Sequence, residues 1–327
     1  MPDIESQRFL HSPIVFIEPT NRCNLRCVMC PSNREMERSR GNVSEEEFRQ
    51  VIDQIADEKP FLNFWGWGEP LLHPEIFSMI QYAAERGVKV RVSSNIEPLP
   101  DSHIESLLSS GLFMLMIPLD GVSKSSHEAY RIGSHVEIVK RKIQLLAAKK
   151  HELGQELPYV TVLTLATKQA IPEMDEIVKF CQQANVDALM IKFPNLWRTQ
   201  KTDQQVHDLY HQFISEDTEY SRYQPPTVTE EVVVYSGSCP FIDKNGVILW
   251  NGDITVCCYD HDGKFSFGNI HDPGGYEAAL ESQARHEAWE HMGDRSLPIC
   301  QNCDATGPRS NVIFFNPKIR QADFEFL

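Results

Sequence analysis

The sequence has no run approaching the ~20 apolar residues that a membrane-spanning helix requires. The stretch Phe113–Leu119 is seven residues long and contains Pro118. The opening residues (MPDIESQRFLHSP) have neither the basic start nor the apolar core of a secretory signal. Basic charge is in short supply: 31 Lys and Arg stand against 46 Asp and Glu, a formal net charge of -15. A field of that sign repels phosphate, which argues against nucleic acid or an anionic membrane as partner. Internal repeats beyond a strand–helix alternation and low-complexity tracts are absent as well. What remains is a globular composition, 41% hydrophobic and 24% charged over 327 residues. At roughly 150 residues per domain, that length predicts about two domains. A cytoplasmic, reducing location is expected. Nine cysteines there read as metal-binding or catalytic rather than as a disulfide framework, and an odd number cannot pair completely.

The cysteines divide the chain. Cys23, Cys27 and Cys30 lie near the start, Cys239, Cys257, Cys258, Cys300 and Cys303 lie in the last ninety residues, and Cys181 stands between. Between these groups, apolar runs alternate with helical periodicity. Strands are predicted over Ile14–Glu18, Phe61–Trp65, Val88–Ser93, Met114–Leu119, Tyr159–Ala166 and Ala188–Phe193. Helices are predicted over Ser44–Ile55, Pro74–Arg86, Asp101–Ser110, Ser125–Lys150 (broken near Gly133), Pro172–Ala184 and Asp203–Ser215. Ser44 and Glu47 form a capping-box pattern, and Gly87 suits a helix C-terminus. Six β–α units imply parallel strands with right-handed crossovers, as a doubly wound sheet or an incomplete barrel. In either, function collects at the carboxyl ends of the strands. Residues Asp217–Glu231, with Pro225-Pro226, read as a linker. Beyond it, short strands are expected at Val232–Tyr235, Val247–Leu249 and Ile254–Val256, then one helix over Tyr276–Met292 and a packed tail over Asn311–Leu327. Asn251-Gly252-Asp253 is a hairpin-turn signal.

Cys23, Cys27 and Cys30 have the spacing C-x3-C-x2-C on a loop directly after the first strand. Three thiolates on one short loop suit a four-iron cluster that keeps one iron open. A structural zinc ion would want a fourth ligand; His11 is a candidate, but it precedes the strand. The segment Glu18-Pro19-Thr20-Asn21-Arg22-Cys23-Asn24-Leu25-Arg26-Cys27-Val28-Met29-Cys30 resembles the cluster loop of radical S-adenosylmethionine (radical SAM) enzymes. Gly66-Trp67-Gly68-Glu69-Pro70 resembles that family's GEP element, Ser93-Ser94-Asn95 sits where it contacts SAM, and Leu119-Asp120-Gly121 resembles a further element, with His127 and Arg131 downstream. The resemblance implies a partial (β/α)6 TIM-like barrel over residues 1–225. It implies a [4Fe–4S] cluster on Cys23, Cys27 and Cys30, and SAM held by Gly66, Gly68, Glu69, Pro70, Ser93, Asn95 and Met29. It implies a one-electron donor such as flavodoxin or ferredoxin. Independently of the family, glycines let backbone approach a ligand, and Glu69 can accept from an ammonium group. Asp120 reads as substrate-facing or as a helix-entry cap, and His127 and Arg131, four apart, as either a site pair or a solvated face.

The second group reads C-x12-G-x4-C from Cys239 to Cys257, then Cys300-x2-Cys303. Two such pairs suit a zinc ribbon or an iron–sulfur site. After a radical SAM core the pattern resembles the SPASM/Twitch extension, a small α+β domain expected over residues 226–327. A full SPASM domain has further cysteines, and none follows Cys303. The resemblance therefore implies one auxiliary [4Fe–4S] cluster on Cys239, Cys257, Cys300 and Cys303, in an electron-transfer role or as a staple of the fold. Cys181 lies on the apolar side of a helix and reads as packing. Cys258 would point away from Cys257 on a strand. It is an inert thiol, the true ligand in place of Cys257, or a hydrogen donor to a substrate radical.

These residues point to hydrogen-atom abstraction from a small polar substrate such as a sugar, aminocyclitol or nucleoside. Oxidation with the auxiliary cluster as acceptor, or epimerisation with Cys258 as catalytic donor, would follow. Only thirteen residues precede the first strand, which argues for a small substrate over the alternative, a ribosomal peptide precursor. Anaerobic reconstitution should load roughly eight iron atoms per chain, as two four-iron clusters. Tight zinc binding without iron uptake in the same metal analysis would remove both assignments.

Overall fold

The computed structural model describes residues 14–33, 36–197, 201–216, 218–221, 223, 239, 246–301, 303–304 and 310–324. His11, the expected strand at Val232–Tyr235 and the expected domain boundary near residue 225 lie outside them.

Each of the six expected strands of the first half forms: β1 (Ile14–Ile17), β2 (Phe61–Phe64), β3 (Lys89–Ser93), β4 (Met114–Pro118), β5 (Tyr159–Leu165) and β6 (Ala188–Lys192). They lie side by side in chain order and pair in parallel throughout. A doubly wound sheet would reverse that order. An unreversed order with right-handed crossovers lays every connecting helix on one face, which is the partial-barrel arrangement.

Strand residues accordingly alternate between two cores. Val15, Ile17, Leu62, Phe64, Val90, Val92, Leu115, Ile117, Val160, Val162, Leu189 and Ile191 pack toward the helices. Ile14, Phe16, Phe61, Met114, Met116, Leu163, Ala188 and Met190 pack on the inner face. The helices are α1 (Glu45–Ile55), α2 (Ile76–Glu85), α3 (Ile104–Leu108), α4 (Lys124–Tyr130), α5 (Val136–Glu152), α6 (Met174–Gln183) and α7 (Asp203–Phe213). The capping box forms, with Ser44 Oγ accepting from the Glu47 N–H at 3.2 Å and Glu47 accepting from the Ser44 N–H at 2.7 Å. Gly87 takes φ +82° just past α2, where a side chain would be strained. Cys181 is fully buried in the helix-side core, as expected for packing.

The second half adds β7 (Val247–Ile248), β8 (Asp253–Thr255) and β9 (Ser266–Asn269) to the open side of β1, with β7 parallel to it. The Asn251-Gly252-Asp253 turn closes the β7–β8 hairpin, with Gly252 at φ +86°. The single helix expected over Tyr276–Met292 is two, α8 (Gly275–Leu280) and α9 (Gln283–Gly293). Ser282 interrupts the pattern by capping α9, its side chain accepting from the Arg285 N–H. A short α10 (Pro298–Gln301) carries Cys300. The tail then forms β10 (Ser310–Phe314), antiparallel to β6, and Ile319 and Phe324 enter the inner-face core.

Asp187 fastens that edge. Its carboxylate accepts from Lys150 Nζ at 2.6 Å, the Val160 N–H at 2.7 Å and Asn316 Nδ2 at 2.6 Å, and its carbonyl accepts from the Phe315 and Asn316 N–H groups. Removing one member of a buried ion pair strands the other, so Asp187→Ala should cost about 3 kcal/mol. Urea unfolding of the two proteins checks this.

Candidate functional site

The cysteine loop leaves β1 at its carboxyl end. Glu18, fully buried there, accepts from the Trp67 N–H at 3.1 Å, the Trp250 N–H at 3.2 Å and Arg38 Nη2 at 2.6 Å. The loop is pinned further along by N–H groups of Arg26 and Val28 donating to the carbonyls of Ile132 and Tyr130, both at 2.9 Å. Met29, expected among the SAM contacts, is buried in an apolar cluster with Tyr130, Tyr210 and Phe213, where it anchors the loop.

The three thiols face one another and one cation. Burial pushes Cys23 up to about 11 and Cys30 up to about 12, with Cys27 contributing to both, and it raises Cys27 as well. Arg131 Nη1 donates to Cys27 Sγ at 3.8 Å, and the Leu25 N–H to Cys23 Sγ at 3.4 Å. Arg131 Nε lies 2.7 Å from Asp120 Oδ2. Burial weakens the hold of Arg131 on its proton, but Asp120 and Cys27 more than restore it. Iron must displace the thiol protons, and half-buried thiolates facing a cation and a backbone N–H are suited to that exchange. Among the described residues no group of three or more His, Cys, Asp or Glu side chains is arranged to hold a single metal ion. Thiolates that each bind a different iron of a cluster need no such convergence. The donor set therefore fits a cluster.

The GEP turn follows β2 and packs directly on this loop. A Cβ at Gly68 would sit 2.2 Å from the Thr20 carbonyl oxygen, and one at Gly66 would sit 2.6 Å from Glu18 Cγ. The glycines are thus required by the neighbouring chain itself. Glu69 is buried; its Oε1 accepts from Ser94 Oγ at 2.6 Å and from the Leu71 N–H at 3.0 Å, its Oε2 from the Asn95 N–H at 2.8 Å. Burial raises its carboxyl and those bonds oppose the rise. Glu69 thereby ties the turn to the end of β3, while Pro70 opens a 3-10 turn and Asn95 Nδ2 donates to Asn24 Oδ1 at 2.9 Å. Ser93 is half-buried at the end of β3.

Asp120 and His127 are fully buried and the Arg131 side chain is only 12% exposed, so the solvated-face reading of the last two does not hold. The Asp120 N–H donates to His127 Nδ1 at 3.1 Å, leaving Nε2–H to donate to Ser134 Oγ at 2.9 Å. Asp120 Oδ1 accepts from the Leu165 N–H at 2.7 Å.

Beyond the strand ends, Trp67 stands 4.9 Å from Trp197 in ring centroids, Trp197 4.3 Å from Tyr259, and Trp67 5.6 Å from His261. Trp197 has φ +54°, a strained value for a bulky residue, and its N–H donates to Asn195 Oδ1 at 2.8 Å. Deeper on the inner face, Asn63 and Thr161 are fully buried, and neither Asn63 amide atom nor Thr161 Oγ1 has a hydrogen-bond partner among the described residues. No periodicity rule flagged these positions, but a polar residue at an inward register of an apolar strand is the signal that could have found them.

In the second half, Cys257 is faced by Cys258, Cys303 and Cys300, and Cys300 by Cys303 and Cys239. Burial raises Cys257 and takes Cys300 up to about 11, and the neighbouring thiols add to both. Cys257 and Cys258 lie in the turn after β8, so strand alternation does not set their directions. Cys258 packs against both cores, including the inner-face cluster, whereas Cys257 joins only the helix-side one.

Comparison with known proteins matches residues 17–181 to the Radical SAM superfamily and residues 239–304 to SPASM, an iron-sulfur cluster-binding domain. The tungsten-containing aldehyde ferredoxin oxidoreductase cofactor-modifying protein of Pyrococcus furiosus is 25% identical over 322 residues, covering 88% of this chain and 86% of that one. Among solved structures, BtrN in complex with AdoMet and 2-DOIA has a TM-score of 0.55 at 16% identity, covering 90% of this chain and 94% of that one. Streptococcus suis SuiB bound to precursor peptide SuiA has a TM-score of 0.62 at 14% identity, covering 86% and 67%. These folds match the architecture described above. No helix among the described residues is long and apolar enough to cross a membrane.

His127 gives the site a pH signature. Burial lowers it to about 4, against about 6.5 in an unfolded chain. Between those values the unfolded chain binds the extra proton, so stability present above pH 6.5 is lost as pH falls through 4. Urea midpoints at pH 7 and pH 5 should fall more steeply for the wild type than for His127→Gln.

Proposed function

The chain belongs to the radical SAM superfamily, and on that premise we propose that it abstracts a hydrogen atom from a small polar substrate of sugar, aminocyclitol or nucleoside type. The two domains imply [4Fe–4S] clusters and SAM as its cofactors. When bound, the cluster of the first loop and SAM supply an electron and a 5′-deoxyadenosyl radical. The protein's part is to hold both groups and keep water away. We assign the first cluster to Cys23, Cys27 and Cys30, and SAM to the braced surface formed by Gly66, Gly68, Glu69, Pro70, Ser93 and Asn95. An auxiliary cluster is assigned to Cys239, Cys257, Cys300 and Cys303, and the domain boundary to the neighbourhood of residue 225. A cytoplasmic location with a flavodoxin- or ferredoxin-type donor completes the reading.

One observation carries the substrate class. Buried polar atoms require partners, and those of Asn63 and Thr161 have none among the described residues. Polar atoms of a bound molecule or of water supply them, whereas an apolar ligand would leave them stranded. Trp67 and Trp197 would close over such a molecule from the strand ends, and the relative matched over most of both chains is itself named a cofactor-modifying protein. Oxidation follows if the substrate's electron leaves toward the auxiliary site, to which Tyr259 is two residues from Cys257. A second outcome, epimerisation, is favoured by the contact of Cys258 with the inner-face cluster.

An anaerobic screen of small polar metabolites should find one that triggers 5′-deoxyadenosine release by the wild type and not by Cys30→Ala. Release with a precursor peptide alone would replace the small-substrate reading. With that substrate in D2O, oxidation leaves no deuterium at the reacting carbon. Epimerisation incorporates deuterium, and Cys258→Ala loses the incorporation while SAM cleavage continues.

A further inference from the structure

Beside the first cluster site stand two paired charges of opposite sign, both largely shielded from solvent. Arg131, at the C-terminal end of α4, is 12% exposed and directs Nη1 at Cys27 Sγ, 3.8 Å away. Asp120, at the end of β4, is fully buried and meets Arg131 Nε at 2.7 Å. Asp120 is itself fixed by the Leu165 N–H at 2.7 Å and, through its own N–H, by His127. The pair therefore has a set position, with the cation between the carboxylate and the sulfur. Arg131 moreover favours the thiolate form at each of Cys23, Cys27 and Cys30, while Asp120 disfavours it at Cys27.

We propose that Arg131 and Asp120 are positioning residues that set the reduction potential of the cluster on Cys23, Cys27 and Cys30, Arg131 raising it and Asp120 limiting the rise. This rests on the cluster assignment given above. Three thiolates outweigh the charge of the oxidised core, and reduction adds one more negative charge at half-buried cysteines. A fixed guanidinium beside a ligating sulfur stabilises the reduced form more than the oxidised form, and a carboxylate opposes this. An arginine suits the task because it stays charged when buried. An arginine with no counter-charge would over-stabilise the reduced state and weaken its power to donate the electron onward. Asp120 prevents that, and it also keeps the guanidinium from swinging away from Cys27.

The test is a dye-mediated redox titration of the reconstituted enzyme without SAM, followed by the electron paramagnetic resonance signal of the reduced cluster. The auxiliary signal is removed by the Cys300→Ala background. Arg131→Met should shift the midpoint to lower potential, Arg131→Lys should restore most of the shift, and Asp120→Asn should shift it to higher potential. A merely structural role would not move two charge-removing variants in opposite directions. Unmoved midpoints, or shifts of both variants in the same direction, overturn the proposal. So does a result in which only SAM affinity changes. If Arg131→Met does not load iron, the Asp120→Asn and Arg131→Lys midpoints still decide. Absence of any three-cysteine cluster signal in the Cys300→Ala background would instead overturn the cluster assignment on which the inference rests.

Discussion

A buried carboxylate holds this molecule's working parts together. Glu18 closes an apolar strand, has no exposure to water, and binds three backbone or side-chain donors from three different segments. One is the turn that would hold SAM, one the loop returning from the cysteines, and one the hairpin of the second module. A buried carboxylate is costly unless every lone pair is used, so the arrangement tolerates little displacement of any donor. Gly66 is required because a side chain there would collide with Glu18. Gly41 is required in the same neighbourhood, since a Cβ would meet the Trp250 ring at 2.3 Å.

Around that knot, charge is handled locally and against the balance of the chain as a whole. The protein has a net charge of -15, yet the thiols of its first site face a buried arginine. His127 is kept neutral beside it by burial, and the tautomer is set by the Asp120 N–H. The local field at the cysteines is therefore a property of a few fixed groups, insulated from the acidic surface by the packed sheet and helices.

Much of this was legible in the sequence, for identifiable reasons. The β–α alternation was readable because every strand has its own apolar period and most helices have a cap or a closing glycine, as Ser44 and Gly87 illustrate. The cysteine spacing was readable because ligand loops constrain neighbours in sequence. What escaped depends on contacts between distant segments. Glu18 to Trp250 spans most of the chain, and nothing local distinguishes Glu18 from a strand-ending surface residue. The pairing of Arg131 with Asp120 and Cys27 is likewise tertiary, which is why the helical spacing of His127 and Arg131 also suited a solvated face. The break at Ser282 was missed because apolar periodicity continues across it, and the turn at Cys257 and Cys258 because a strand run ends one residue earlier than its pattern suggests.

The β1–β7 pairing has a mechanical consequence. The joint between the two cysteine-bearing halves includes a shared strand: β1 has the barrel on one side and β7 on the other. Swinging the second half away would break that ladder and strip Glu18 of the Trp250 N–H at the same time. The two halves are therefore held together at the strand from which the first cysteine loop springs, by the β7 ladder and by the Trp250 N–H on Glu18. A displaced β7–β8 hairpin would take from Glu18 one of its three donors, at the root of the first cysteine loop.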